Sequence, residues 1–239
     1  MELIEKIKLL SPEHREQVER WISAYFKPLY EEKAAYDAED VRRILSHFPP
    51  DKPWTAAELD DTDIFPPNLT VKVELVDYTL HIMPDPTAYH QEILTNVVTY
   101  LNLFVRKYKL GKAYVAPFSL HINEGNVRKP DMVLVLSHKA ERVTERGIYE
   151  APDLVVEVIS PANYKKLRQE QKAAYAAFGV AEYWEIYPDQ QEVRVEVLEK
   201  EGEVPLYRTF SVASSEGNNA VCSKLLAGFS LGLEEVFSA

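Results

Sequence analysis

The sequence lacks the residues on which disulfide-bonded and cysteine-rich zinc proteins depend. Cys222 is the single cysteine among 239 residues, so the chain cannot form an internal disulfide or a cysteine-rich zinc site. The six histidines are scattered along the chain and show no paired spacing typical of metal ligands. These absences exclude the disulfide scaffolds and the cysteine-rich metal proteins.

Long apolar runs are also missing. No stretch approaches the roughly 18 consecutive apolar residues of a membrane span. The first residues, MELIEKIKLLSPEH, mix acidic and basic side chains and lack the apolar core and small-residue cleavage site of a signal peptide. The remaining composition, 46% hydrophobic and 27% charged, is ordinary for a globular chain. We therefore predict a cytoplasmic protein that has no membrane partner.

Positive charge is scarce as well. The 27 basic and 38 acidic residues give a net charge of −11 at pH 7. Proteins that grip phosphate backbones usually carry a basic surface, so this balance argues against tight, non-specific binding of nucleic acid. It does not exclude a local basic patch, because the local field at a binding surface determines what binds there.

The length allows one large domain, or one domain with a small extension. Residues 1–50 show a helical pattern, in which Ser11 and Pro12 form a helix start and Pro49 with Pro50 ends a second amphipathic segment. We predict that residues 1–50 are a helical extension that serves packing or dimerisation. Residues 54–239 are predicted to form one domain.

Periodicity within residues 54–239 alternates between strand and helix patterns. We predict a first hairpin with a tight turn near Asp77 and Tyr78. Helices are predicted at residues 87–109 and 163–178, and further strands at residues 113–122, 128–136, 154–159, 182–187 and 193–198. Residues 154–159 are almost continuously apolar, which indicates burial on both faces. The order predicts an α/β (α+β) fold, with a central mixed β-sheet flanked by helices.

Two of these apolar strands each carry a carboxylate. Asp131 stands at the start of KPDMVLVL, and Glu157 lies inside DLVVEVIS. An ionised carboxylate in an apolar sheet costs several kcal/mol unless a partner, usually a cation, compensates for it. Magnesium held by carboxylates on neighbouring strands would satisfy this requirement. Structural pairing with lysine or arginine would satisfy it equally well, so the residues alone leave both interpretations open.

An ordered series of segments extends the argument beyond these two residues. VELVDYTLHIMPDPTAYHQEI, KPDMVLVL, APDLVVEVISP, YAAFGVAEYWEIYPD and LLAGFSLGLEEVF together resemble the Uma-two family of the PD-(D/E)XK, restriction-endonuclease-like superfamily. The resemblance runs from about Trp54 to the C-terminus and leaves residues 1–50 outside. It implies a restriction-endonuclease-like core and an endonuclease that hydrolyses phosphodiester bonds of DNA with Mg²⁺ or Mn²⁺.

The resemblance also implies roles for particular residues. Asp131 and Glu157 match the family's motif carboxylates and would bind the metal ion. Glu74 falls on a recurrent glutamate of the first hairpin, and His90 falls on a recurrent histidine at the start of the long helix. Because related nucleases add an early acidic residue to the metal shell, Glu74 and Glu92 are both further metal ligands by this interpretation. For His90, a local hydrogen bond at the helix start is an equally good explanation.

The family pattern breaks on the helix after Glu157. The positions at which the family carries an aspartate and a lysine hold Leu167 and Gln171, although Tyr175 and Gly179 keep their spacing. A lysine would stabilise charge on the phosphate, whereas Gln171 supplies only hydrogen bonds. Lys172 is the next residue, but one helical step turns it about 100° away. We therefore assign Gln171 or Lys172 to the place beside the scissile phosphate.

Three interpretations of function follow. The first is a metal-dependent DNA endonuclease, for which a homodimer is consistent with cutting duplex DNA. The second is a catalytically impaired nuclease fold that serves as a binding or assembly module, which the changes at Leu167 and Gln171 favour. The third is a hydrolase of a small phosphorylated metabolite, since it would use the same metal site.

Overall fold

The computed structural model describes residues 52–61, 72–83, 86–159, 165–201 and 204–238, together with Ser11 and His14. The predicted helical extension therefore lies outside the described residues except at those two positions. There the backbone N–H of His14 donates to Ser11 Oγ at 3.3 Å, as expected of Ser11 as a helix cap. The division into an extension and a domain at residues 54–239 stays a prediction.

The described elements are mostly strands with a few helices, and they fall in one compact unit of the chain. In chain order they are α1 (Ala56–Leu59), β1 (Val73–Val76), β2 (Thr79–Ile82), α2 (Ala88–Lys107), β3 (Gly111–Val115), β4 (Leu120–Asn123), β5 (Asn126–Arg128), β6 (Met132–Leu136), β7 (Val143–Thr144), β8 (Gly147–Ile148), β9 (Leu154–Val158), α3 (Lys165–Phe178), β10 (Glu182–Tyr187), β11 (Glu192–Glu201), β12 (Val204–Ala213), β13 (Ala220–Cys222), β14 (Ser230–Gly232) and α4 (Leu233–Phe237).

Six strands form the central sheet, in the order β12-β11-β10-β9-β6-β3. The pair β9–β10 is parallel and the other neighbours are antiparallel, so the sheet is mixed, as predicted. Every residue of β9 is buried, which confirms the burial on both faces that its apolar sequence predicts. β9 is thus the middle of the core, and any charged side chain on it needs a partner.

Helices cover both faces of the central sheet. On one face α2 packs its apolar stripe of Ile93, Val97, Leu101 and Val105 against β6 and β9, joined there by α4. On the other face Tyr175 of α3 is fully buried beside Val133 and Val155. Because side chains alternate along a strand, Glu157 points to the α3 face, the same face as Val155. Among the described helices, none is long and apolar enough to span a membrane.

A second six-stranded sheet, in the order β2-β1-β5-β4-β8-β7, corrects two of the predicted strands. Residues 113–122 are not one strand, because β3 belongs to the central sheet and β4 to the second sheet. Residues 128–136 are divided in the same way between β5 and β6. Pro117 and Pro130 stand at the two changes of sheet, where a proline has no N–H to continue a ladder. The second change leaves Asp131 at the junction of the two sheets.

The first hairpin has the turn that the sequence predicts. Asp77 and Tyr78 both have positive φ, 47° and 61°, which is the backbone of a two-residue hairpin turn. Tyr78 therefore adopts a conformation that glycine adopts more easily. The hairpin pairs with β5 through Leu75 and Val127, and this pairing brings β1 alongside the chain that leads to Asp131.

Candidate active site

Asp131 and Glu157 face each other across two neighbouring strands. β6 and β9 are antiparallel, and Met132 pairs with Val156. One step further in the same register sets Asp131 opposite Glu157, and both residues are buried. Directly opposed side chains on one face have Cβ atoms roughly 4.5–5.5 Å apart. The structure thus brings the two carboxylates of the sequence hypothesis together.

Asp131 is held by donors on both of its oxygens. Its Oδ2 accepts the backbone N–H of Val158 at 2.9 Å and lies 3.3 Å from His90 Nε2. Its Oδ1 lies 3.5 Å from Lys72 Nζ. Burial by itself would raise the pKa of Asp131, but His90, Lys72 and the Val158 N–H outweigh it and lower the pKa. Asp131 is therefore the ionised member of the pair.

Glu157 is held by neutral donors of α3. Tyr175 Oη and Gln171 Nε2 each donate to Glu157 Oε1 at 2.8 Å, and these two residues share one helix face because they are four positions apart. Burial, reinforced by the charge of Asp131, raises the pKa of Glu157 to about 8. Of the two coupled carboxyl groups, Glu157 is therefore the one that takes up a proton more readily.

Lys72 is the site residue that the sequence interpretation missed. It stands directly before β1, and its ammonium lies 3.5 Å from Asp131 Oδ1 and interacts electrostatically with Glu157 and Glu74. Burial alone would lower the pKa of Lys72, but these three carboxylates together raise it above its usual value. The available signal was local: Lys72 and Glu74 are two residues apart and so share one face of a strand.

Glu74 and Glu92 differ sharply in their positions. Glu74 is buried on β1, where its Oε1 accepts the backbone N–H of Lys129 at 2.8 Å and its Oε2 lies 3.5 Å from Arg128 Nη1. It raises the pKa of Glu157 through its charge without bonding to that residue. Glu92 is exposed on α2, and the described contacts do not connect it with Asp131 or Glu157. Of the two predicted additional ligands, the structure places Glu74 near the pair.

Lys172 belongs to a neighbouring ion-pair cluster rather than to the Asp131–Glu157 pair. Its Nζ lies 3.0 Å from Glu185 Oε2 on β10 and 2.9 Å from Glu196 Oε1 on β11. Gln171, one helical step away, is the residue that reaches Glu157. Of the two residues proposed beside the scissile phosphate, the structure brings only Gln171 to the carboxylate pair.

The pair has the ligand chemistry that a magnesium ion requires. Within the part of the chain that the structure describes, no three His, Cys, Asp or Glu side chains form a complete metal cage. Mg²⁺ is commonly held by one or two carboxylates, with waters and substrate phosphate completing its six positions. Asp131 and Glu157, fixed on adjacent strands, would supply the two carboxylates of such a site.

Comparisons with known proteins agree with this architecture. A crystal structure described as "a putative nuclease belonging to DUF820 from Anabaena variabilis ATCC 29413" superimposes with a TM-score of 0.57. It is 19% identical, and the match covers 70% of this chain and 89% of that chain. At this identity the likeness concerns the fold alone. No curated protein matches the chain.

The mixed sheet flanked by helices is the α/β architecture expected of a restriction-endonuclease-like protein. Residues 57–234 match the model of the Uma2 family, which is described as "Putative restriction endonuclease", and the chain belongs to this family. Both the predicted fold and the family resemblance are thereby confirmed. Membership in this family supports a nuclease as the general class of activity.

Proposed function

We propose that this protein is a Mg²⁺- or Mn²⁺-dependent endonuclease that hydrolyses phosphodiester bonds of DNA. The carboxylate pair of Asp131 and Glu157 is the observation that supports this proposal most directly. The pair is buried and lies on neighbouring strands, at the two positions for which the sequence resemblance implies metal-binding carboxylates. The similar fold described as a nuclease adds support for this class of reaction.

The chain's own residues would hold and orient the two metal ligands. The Val158 N–H and His90 fix Asp131, whose lowered pKa keeps it ionised. Tyr175 and Gln171 fix one oxygen of Glu157. When bound, a divalent ion polarises a phosphoryl oxygen and lowers the pKa of a bound water. Binding it requires Glu157 to release its proton, because a ligating carboxylate must be ionised.

Asp131→Ala is expected to lower the rate of plasmid nicking in Mn²⁺ at least about a hundredfold, because it removes a ligand that positions charge at the reacting phosphate. The measurement is conversion of supercoiled to open-circular plasmid, with cleavage of single-stranded DNA followed in parallel. Purified wild-type protein and variant are compared over the same Mn²⁺ series.

Glu185→Gln is the matched control for this experiment. Glu185 is another buried carboxylate and pairs with Glu157 in the register of β9 and β10, but its ion pairs are with Lys172 and Arg168. Thermal melting of both variants separates loss of fold from loss of cleavage. Nicking that survives Asp131→Ala would assign the activity to another site or to a contaminant, and an inactive wild type would overturn the proposed function.

One observation favours a second function, that of a binding or assembly module on a nuclease fold. The family's lysine position is filled by the neutral Gln171, whose amide is already bonded to Glu157. Such a module would bind DNA or a second copy of the chain without cleaving. Light scattering and DNA binding in the presence of Ca²⁺ would detect it, and binding without any nicking would favour this function.

A further inference from the structure

We propose that Lys72 is the phosphate-facing cation of this site, in place of the lysine that the family carries where this chain has Gln171. The inference rests on the proposed function, since it assigns the positive charge that phosphodiester cleavage at Asp131 and Glu157 needs. It moves that charge from α3 to the chain segment that leads into β1. Neither the sequence motifs nor the position of Lys172 identifies Lys72 as this cation.

The position of the ammonium supports this assignment. Lys72 Nζ lies 3.5 Å from Asp131 Oδ1, while His90 lies on the opposite oxygen, Oδ2. The Lys72 side chain is 24% exposed, against 10% for Asp131, so it is the more accessible of the two. Because the two groups are 3.5 Å apart and both keep some exposure to solvent, a phosphate that binds beside Asp131 would also lie beside the ammonium. An anion with three or four oxygens is a suitable partner for such a point charge.

Three other cations near the site are directed toward carboxylates outside the Asp131–Glu157 pair. Lys172 and Arg168 on α3 lie against Glu185. Arg128 is buried beside Glu74 on the second sheet. Lys72, in contrast, interacts electrostatically with Asp131 and Glu157 at once. Of these four cations, it is the one that the structure places at the carboxylate pair.

The chemical role is electrostatic and involves no transfer of a proton from Lys72. The charged ammonium would stabilise the negative charge that builds up on the phosphoryl oxygens as a water adds to phosphorus and loses a proton to solvent, while the bond to the leaving oxygen breaks and that oxygen takes up a proton from solvent. It also balances the carboxylates when substrate is absent. Gln171 cannot supply this charge, but it keeps Glu157 in position.

Relocation of the charge tests the assignment. Lys72→Gln is expected to lower nicking in Mn²⁺ at least about a hundredfold, Lys72→Arg is expected to retain most of it, and Lys72→Gln with Gln171→Lys is expected to recover at least tenfold. Lys139→Gln is the matched control, because Lys139 is also a partly buried lysine that pairs with a buried carboxylate, Asp153, at 3.0 Å. It should nick at the wild-type rate.

Mn²⁺ affinity is a second readout that a merely structural lysine would not change in the same direction. Removal of the ammonium should tighten Mn²⁺ binding by about tenfold in calorimetry, because a positive charge beside Asp131 repels the ion. If Lys72→Gln nicks plasmid at the wild-type rate, the assignment of Lys72 is overturned and the proposed function is left intact. Weaker Mn²⁺ binding together with a lowered melting temperature would also overturn it, in favour of a structural role. Absence of nicking by the wild type would instead overturn the proposed function, and this inference with it.

Discussion

Glu182→Ala is expected to destabilise the protein by about 3–5 kcal/mol, because it strands several buried donors. Glu182 is 1% exposed. Its Oε1 accepts hydrogen bonds from Trp184 Nε1 at 2.8 Å and from Ser223 Oγ at 2.7 Å. Its Oε2 accepts the backbone N–H groups of Lys224 and Leu225 at 2.8 and 2.9 Å. Alanine would leave all four donors without their acceptor.

Thermal and urea unfolding would measure this loss. For a domain of this size, such a change corresponds to a fall of about 10 °C in melting temperature. Glu182→Gln should lose less stability than Glu182→Ala, since its amide oxygen can still accept some of these hydrogen bonds. Glu216→Ala removes an exposed carboxylate between β12 and β13 and should change stability by less than about 0.5 kcal/mol. Equal stabilities of wild type and Glu182→Ala would contradict the assigned bonds.

This carboxylate has a structural role that follows from its partners. Glu182 begins β10 in the central sheet. Its two carboxylate oxygens accept hydrogen bonds from the turn at Ser223 and Leu225, which precedes β14 and α4. Leu226 and Phe229 of that turn belong to the main apolar cluster. The carboxylate therefore attaches the C-terminal segment to the sheet, and its loss should expose that segment first.

Strong periodicity made part of the fold predictable from sequence. The strand at Glu182–Tyr187 has its predicted bounds, and α2 begins at Ala88, one residue after the start predicted from its periodicity. The change of sheet at Pro117 could not be predicted, since residues on both sides have strand character and only tertiary pairing decides which sheet they join. The long edge strand β12 at Val204–Ala213 was missed for a related reason, because its mixed pattern gains meaning only from pairing with β11.

The site was predictable to a similar extent. Asp131 and Glu157 were recognisable as carboxylates in apolar strands, but Glu182, Glu185 and Glu196 show the same signal and are buried too. Their partners distinguish them. Glu182 receives four donors, and Glu185 and Glu196 share Lys172. Sequence cannot specify such long-range partners, which is also why Lys72 escaped notice.

Metal-free wild-type protein is expected to lose stability as the pH rises from about 5 to 8, and Glu157→Gln to lose much less. The folded-state pKa of Glu157 is about 8, above its usual 4.5. Below 4.5 the group is protonated in both states, so its stabilising contribution is complete. Between these values the unfolded chain ionises first, which lowers the free energy of unfolding by about 1.4 kcal/mol per pH unit. Above about pH 8 the contribution has been lost.

Urea unfolding in EDTA at pH 5, 6, 7 and 8 would measure this difference. Glutamine can still accept the Tyr175 and Gln171 hydrogen bonds, so Glu157→Gln imitates the protonated carboxyl. The variant should therefore gain on wild type as the pH rises and be the more stable protein at pH 8. Asp131 does not obscure this window, because its lowered pKa acts only in more acidic solution. Parallel pH profiles for wild type and variant would rule out the raised pKa.

Addition of Mn²⁺ connects this stability profile to the proposed site. An ion that takes the place of the Glu157 proton should stabilise the wild-type protein. This gain in stability should grow with pH, since the competing proton is then released more easily. Glu157→Gln should gain little from Mn²⁺ at any pH, because its amide binds the ion weakly. A pH-dependent gain in wild type alone would mean that the same carboxylate destabilises the empty site and binds the metal.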